Sequence, residues 1–431
     1  MNSPPPFLLF LLLIISAVLH LSTAATSSLS YPKKALPTKS GYLTVNSTSG
    51  SAIFYTYYES QTLPTTPKTP ILIWLQGGPG CSSMLANYFE LGPWLLDQNI
   101  SLQPNPYSWN KIFGLLFLDN PIGTGFSVAA SQQEIPRNQN DVAEHLLTAI
   151  EKFISLLDRK FRNRPIYITG ESYAGKYLPA LGYHIVTRKN AKRSFNFAGI
   201  AIGNGLTDPE TQVLTHASNC YNLGLINREQ MSRLEEIQLE TVGFVGNRRW
   251  NEASNARARV LDTLTNMTGL ATLYDFRRLS RYPNRVVARF LNDAGVKKAL
   301  GANPSIEFEL CSPAVASALH EDVMKSVRGM VEFLVRKGIK MLLYQGQCDL
   351  RDGVFSTLAW VEKMHWDEVG EFLRAKREVW RVDGNLAGYV QRWKGFSHAV
   401  VMNAGHLVPT DQPLNSQVLI QDWVLGRGMF G

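Results

Sequence analysis

Short apolar runs punctuate the chain, and each is closed by glycine, asparagine or proline. Ala52–Tyr58 reads as a strand rich in aromatic residues. Ile71–Leu75 is apolar throughout and runs into Gly77-Gly78-Pro79-Gly80. Leu115–Leu118 is closed by Asp119-Asn120-Pro121, Ile166–Thr169 by Gly170, and Ala198–Ile202 by Gly203-Asn204-Gly205. Apolar runs of this length, without polar alternation, suit strands buried on both faces of a parallel sheet. Helical patterns lie between them, at Asn140–Phe161 and Ala174–Thr187. Strand and helix in alternation predict a parallel α/β sheet.

The pattern changes at about Asp208. From there to Leu300 the chain is polar, helical in period and rich in arginine, with no buried strand. This stretch predicts a helical insertion. Strand signals resume at Ile339–Tyr344, ended by Gln345-Gly346, and at Phe396–Val401, and Gln412–Leu425 reads as a closing amphipathic helix. The expected organisation is a core over residues 25–207, a helical cap over 208–300 and a second core part over 301–431.

Composition is that of a globular protein: 431 residues, 45% hydrophobic and 18% charged. The net charge of +8 is spread along the chain rather than gathered into one basic stripe, so nucleic acid is not an expected partner. Phe7–Leu19 is an apolar run broken only by Ser16, followed by Ser22-Thr23-Ala24-Ala25. That run is short for a membrane span and suits a signal peptide over residues 1–24, although no Lys or Arg precedes it; an uncleaved anchor is the alternative. The remainder is expected outside the cytosol, with no membrane contact once the signal is removed. Three sequons, at Asn46, Asn99 and Asn266, agree with the secretory pathway. The four cysteines, Cys81, Cys220, Cys311 and Cys348, admit three complete pairings, and no pair has metal-ligand spacing. Neither a metal nor another cofactor is expected.

The chemistry concentrates where strands end. Ile166–Gly175 runs from a buried strand through Gly170 and Ser172 into a helix, the context of a nucleophile elbow. There the serine sits on a crowded turn, small neighbours are required, and the helix N-terminus favours developing negative charge. A helix-capping serine is the plainer reading of Ser172 alone. Asp349 follows the strand ending at Tyr344, and His406 follows the strand ending at Val401. Nucleophile, acid and base then stand in the chain order of the α/β-hydrolase fold. In that reading His406 takes and returns the Ser172 proton, and Asp349 fixes the His406 tautomer. Asp352 is the alternative acid, and mid-strand His398 reads as a packed structural histidine. An oxyanion hole would draw one backbone N–H from Tyr173 and another from the Gln76–Gly80 loop.

Taken together, Trp74–Ser83, Leu118–Ser127, Gly170–Gly175, Ile202–Pro209 and Ala404–Pro409 closely resemble the serine carboxypeptidases, in particular plant serine carboxypeptidase-like proteins. The resemblance covers nearly the whole mature chain. It implies a mostly parallel sheet flanked by helices, with a helical cap, and removal of single residues from peptide or protein C-termini at acid pH. It implies that Gly78 is the second oxyanion donor. It also implies that protonated Glu171 hydrogen-bonds the substrate's terminal carboxylate, helped by Gln76, where the family usually has Asn. A Cys81–Cys311 disulfide follows from the same likeness, leaving Cys220 and Cys348 free. Location would be extracellular or vacuolar. An acyltransferase using sugar-ester donors is the nearest alternative, although such relatives tend to carry Asp beside the nucleophile. A non-catalytic binding protein on the same scaffold is the other.

Overall fold

The computed structural model describes residues 31–62, 64–188 and 195–431. The expected signal peptide therefore lies outside the described residues. Strands follow in chain order as β1 (Lys39–Thr44), β2 (Ala52–Tyr58), β3 (Ile71–Leu75), β4 (Trp94–Leu96), β5 (Leu102–Pro104) and β6 (Gly114–Leu118). They continue as β7 (Pro165–Glu171), β8 (Asn196–Gly203), β9 (Lys340–Gly346), β10 (Arg377–Val382), β11 (Asn385–Trp393) and β12 (Phe396–Val401). Ten of them form one sheet in the order β1-β2-β6-β3-β7-β8-β9-β12-β11-β10, and β4 and β5 pair separately.

The six central strands, β6 to β12 in that order, are mutually parallel. The outer strands on both edges add antiparallel pairs. The parallel α/β sheet that the apolar runs predict is present, in the α/β-hydrolase arrangement that the resemblance implies. Successive side chains of β3 point to opposite faces. Ile71, Ile73 and Leu75 pack with the helices Gln139–Ser155, Ala174–Thr187 and Arg328–Arg336. Leu72 and Trp74 pack on the other face with Met84–Phe89 and Pro413–Leu425. Each fully buried aliphatic side chain of this kind contributes about 1.5–3 kcal/mol, so covering both faces outweighs the cost of an all-apolar strand.

The hairpin β10–β11 has no counterpart among the predicted strands. Its turn is Asp383-Gly384, with φ of 48° and 80°, the conformation that Asp-Gly supplies in two-residue hairpins. β10 is the edge strand and β11 its neighbour, and both mix exposed and buried positions, so they carry no continuous apolar run.

Between β8 and β9 the chain is helical. Pro209–Val213, His216–Asn222, Arg228–Gly246 and Trp250–Thr268 gather around a core of their own that includes Val213, Ala217, Leu234, Val260 and Leu264. The next two helices, Arg285–Leu291 and Ala294–Leu300, turn Val287, Phe290, Val296 and Leu300 into the core of the sheet instead.

Candidate active site

Ser172 lies between the end of β7 and the helix Ala174–Thr187. Its φ is 61°, a left-handed backbone that costs about 1–3 kcal/mol for a non-glycine residue. Three hydrogen bonds hold it there. Ser172 N donates to Gly203 O at 3.0 Å, and Ser172 O accepts from Gly175 N and Leu206 N, each at 2.9 Å. The turn is as crowded as the sequence requires: a Cβ on Gly170 would lie 2.2 Å from Leu75 O.

His406 and Asp349 meet. His406 Nδ1 donates to Asp349 Oδ2 at 2.8 Å, and both side chains are buried. Asp349 Oδ2 also accepts from Asn204 Nδ2 at 2.7 Å, and Oδ1 accepts from Arg351 N at 2.7 Å. Asn204 directly follows Gly203, whose carbonyl holds Ser172, so one turn after β8 ties the elbow to the acid. Tyr274 stacks on the His406 ring at 4.3 Å with 9° between planes, and its carbonyl accepts from His406 N at 2.7 Å. With Nδ1 bonded to the carboxylate, Nε2 is the nitrogen free to act as a base. It is buried without a hydrogen-bond partner among the described residues.

The two alternatives fall elsewhere. Asp352 pairs with Arg257 at 3.4 Å and Arg351 at 3.8 Å, not with His406. His398 is buried within β12, where burial pushes its pKa down to about 3.

The Gln76–Gly80 loop leaves β3 and packs against the elbow. Gly78 has φ of 114°, and an added Cβ on Gly77 would lie 2.5 Å from Tyr173 N. Among the described residues no protein acceptor takes the N–H of Gly78 or Tyr173. A cavity of about 350 Å³ opens over Gly78, Ser172 and Tyr173. The loop is anchored by a Cys81–Cys311 disulfide, flanked by Ser82 N to Leu310 O and Ser312 N to Gly80 O, both at 2.8 Å. Cys220 and Cys348 are free and buried.

Beside the elbow sits a pair of buried carboxyls. Gln76 Nε2 donates to Glu171 Oε1 at 2.7 Å and reaches Glu90 Oε1 at 3.4 Å. Trp74 Nε1 donates to Gln76 Oε1 at 2.8 Å, which fixes the amide so that the longer side chain still meets Glu171. Glu171 and Glu90 hydrogen-bond each other, and the Oε2 atoms of both are buried with no partner outside the pair. Burial, then the Glu90 charge, pushes Glu171 well above the usual carboxylate range. Burial pushes Glu90 up from 4.5 to about 8. Two such groups this close hold at least one proton at mildly acid pH.

The stability consequence has a definite sign. Both carboxyls bind protons more tightly in the folded state. Their contribution is therefore complete below about pH 4.5 and is lost as the pH rises toward and through about 8. A shift of one pKa unit corresponds to about 1.4 kcal/mol, so the loss is of order a few kcal/mol. Thermal melts should show a midpoint falling by several degrees between about pH 5 and pH 8. Glu90→Gln should flatten that slope; a wild-type midpoint rising over this range would refute the assignment.

Glu90, Asn204 and Tyr274 are not foreseen from the sequence. Asn204 stands in the polar stop after a predicted strand, a position at which a strand-end side chain can reach the neighbouring strand's loop. Glu90 and Tyr274 carry no motif. Of the sequons, Asn99 and Asn266 are exposed and Asn46 is half-buried.

Comparison with known proteins places the chain among relatives of one family. The chain is 51% identical over 425 residues to serine carboxypeptidase-like 50 of Arabidopsis thaliana, covering 97% of this chain and 95% of that one. It is 31% identical to the probable serine carboxypeptidase CPVL of Homo sapiens, covering 92% and 85% of the two chains. The crystal structure of Kex1(delta)p, a prohormone-processing carboxypeptidase from Saccharomyces cerevisiae, superposes with a TM-score of 0.81 at 24% identity. It covers 91% of this chain and 92% of that one, and so shares the fold. Residues 30–426 match the serine carboxypeptidase family, and the chain belongs to that family.

Proposed function

We propose that the protein releases C-terminal residues from peptides at acid pH through an acyl-enzyme, with Ser172, His406 and Asp349 as the triad. The observation that carries this reading is the buried Glu171–Glu90 pair bridged by Gln76, one residue from the candidate nucleophile. A free carboxylate entering this site meets a proton that would otherwise be shared between two carboxyls. It therefore binds as the third member of a hydrogen-bonded set rather than as one more unpaired charge.

In this reading the steps are those of a serine acyl-enzyme. Ser172 Oγ attacks the scissile carbonyl while His406 Nε2 takes its proton. The tetrahedral oxygen rests on the N–H groups of Gly78 and Tyr173. His406 then returns the proton to the leaving amine, the C–N bond breaks, and the terminal residue departs with its carboxylate still held by Glu171, Gln76 and Glu90. Water repeats the cycle on the acyl-enzyme and restores Ser172. Asp349 stabilises the imidazolium throughout.

The N-terminal apolar run, the sequons and the disulfide support passage through the secretory pathway to the extracellular space or a vacuole. No helix among the described residues is long and apolar enough to cross a membrane.

Peptides amidated at the C-terminus test the recognition pair. At acid pH their kcat/KM should fall about a hundredfold or more below that of the free acid, since the amide leaves the carboxylate site unfilled. Equal turnover of acid and amide would remove Glu171 and Gln76 from substrate recognition.

A further inference from the structure

Beside the elbow cavity lies a larger one of about 680 Å³. It begins at Tyr274, whose ring stacks on His406, and extends past Tyr282. Tyr282 meets Phe89 edge-on at 6.4 Å, and Phe89 immediately precedes Glu90. The two cavities share Leu261, Asp262 and Arg351 as a common wall, so the larger one adjoins the space over Ser172, with the Tyr274 ring between it and His406.

That position matters for the leaving residue. Under the function proposed above, its amine departs at His406 Nε2 and its carboxylate sits at Glu171 and Glu90. The residue is then held at the cavity over Ser172, and its side chain can extend past the shared wall of Leu261, Asp262 and Arg351 toward the larger one.

The walls are strongly basic. Arg281, Arg285, Arg289 and Arg351 line the cavity, against one carboxylate, Asp262. Arg351 shares its surroundings with Tyr274, Asp352, Asp349 and Asp262, which hold its charge in place. Arg281, Arg285 and Arg289 are exposed and make no ion pair among the described residues. Three unpaired guanidiniums around a partly enclosed space form an electrostatic funnel for an anion, and a low-dielectric wall strengthens it. Guanidinium forks also match a carboxylate bidentately.

We propose that this cavity receives the side chain of the substrate's C-terminal residue and that its arginines select an acidic one, glutamate or aspartate. The selection rests on the carboxypeptidase reading and adds to it the class of residue released.

The test uses the intact protein and peptides identical except for the last residue: Glu, Asp, Gln, Leu or Lys. At about pH 5.5 a glutamate side chain is ionised and the carboxyl pair still holds its proton. The expected kcat/KM for Glu exceeds that for Gln by about tenfold and that for Lys by about a hundredfold, and the Glu advantage shrinks as salt rises. The double variant Arg285→Glu, Arg289→Glu should bring the Lys peptide level with or above the Glu peptide. Equal rates for Glu and Gln, or a Glu-to-Lys ratio unmoved by the double variant, would overturn the proposal while leaving the carboxypeptidase reading intact. Failure to release the last residue from every peptide would instead overturn the reading on which it rests.

Discussion

Ser172→Ala should lower kcat by about 10⁴–10⁶-fold and abolish stoichiometric labelling by an organofluorophosphate. The reason is structural. Ser172 is held at φ of 61° by three backbone hydrogen bonds, none of which involves its hydroxyl. Alanine keeps those bonds and the strain with them. The fold and the carboxylate site should survive, so KM for a peptide acid should change far less than kcat. Persistent labelling of the variant would identify another nucleophile, and unfolding on substitution would return Ser172 to a structural role.

Gly77→Ala should be nearly as damaging, by a different route. Its Cβ would lie 2.5 Å from Tyr173 N, 2.7 Å from Ser172 Cβ and 2.8 Å from Glu171 O. Two of those three contacts are backbone atoms of the elbow and cannot swing aside. Either the loop retreats, moving Gly78 off the oxyanion position, or the elbow shifts. Loss of one oxyanion donor costs roughly a hundred- to a thousandfold in kcat. A displacement of about 1 Å in the positioning of the reacting groups costs about a hundredfold. The variant should therefore fall at least a hundredfold in kcat in a stopped-flow or product-release assay. Activity within threefold of wild type would show that the loop does not supply the donor.

Both expectations rest on residues that the sequence makes visible, and the reason is chemical. Strands buried on both faces are mostly apolar, so β3 and β6 declare themselves, and β7 and β12 do so despite Thr169, Ser397 and His398. A serine at φ of 61° needs small neighbours and a tight stop before it, so the elbow leaves a mark at Gly170, Ala174 and Gly175. Glu90, Asn204 and Tyr274 leave none. Glu90 ends a short helix, Asn204 acts across two strands and Tyr274 arrives from the segment after the helix Trp250–Thr268, each through a contact made only after folding. The hairpin β10–β11 lies between these cases. Asp383-Gly384 has the chemistry of a hairpin turn, but the exposed positions of both strands break the apolar pattern that would flank it. Charge was similarly indirect: the arginines of the large cavity are spread from 281 to 351 and form no run in the chain.

The independent core of the cap has a consequence for how such a chain can diversify. Val213, Leu234, Val260 and Leu264 pack among themselves rather than into the sheet. Changes within that core therefore draw on a local store of stability, whereas Arg257, paired with Asp352, ties the helix Trp250–Thr268 to the acid of the candidate triad. Leu350 is a point of crossing. It joins the cap's core and its N–H bonds to Leu273 O at 3.0 Å, one residue from Asp349. A lineage could thus exchange one set of helices for another and inherit the same hydrolytic centre, provided the new set still closes over that leucine.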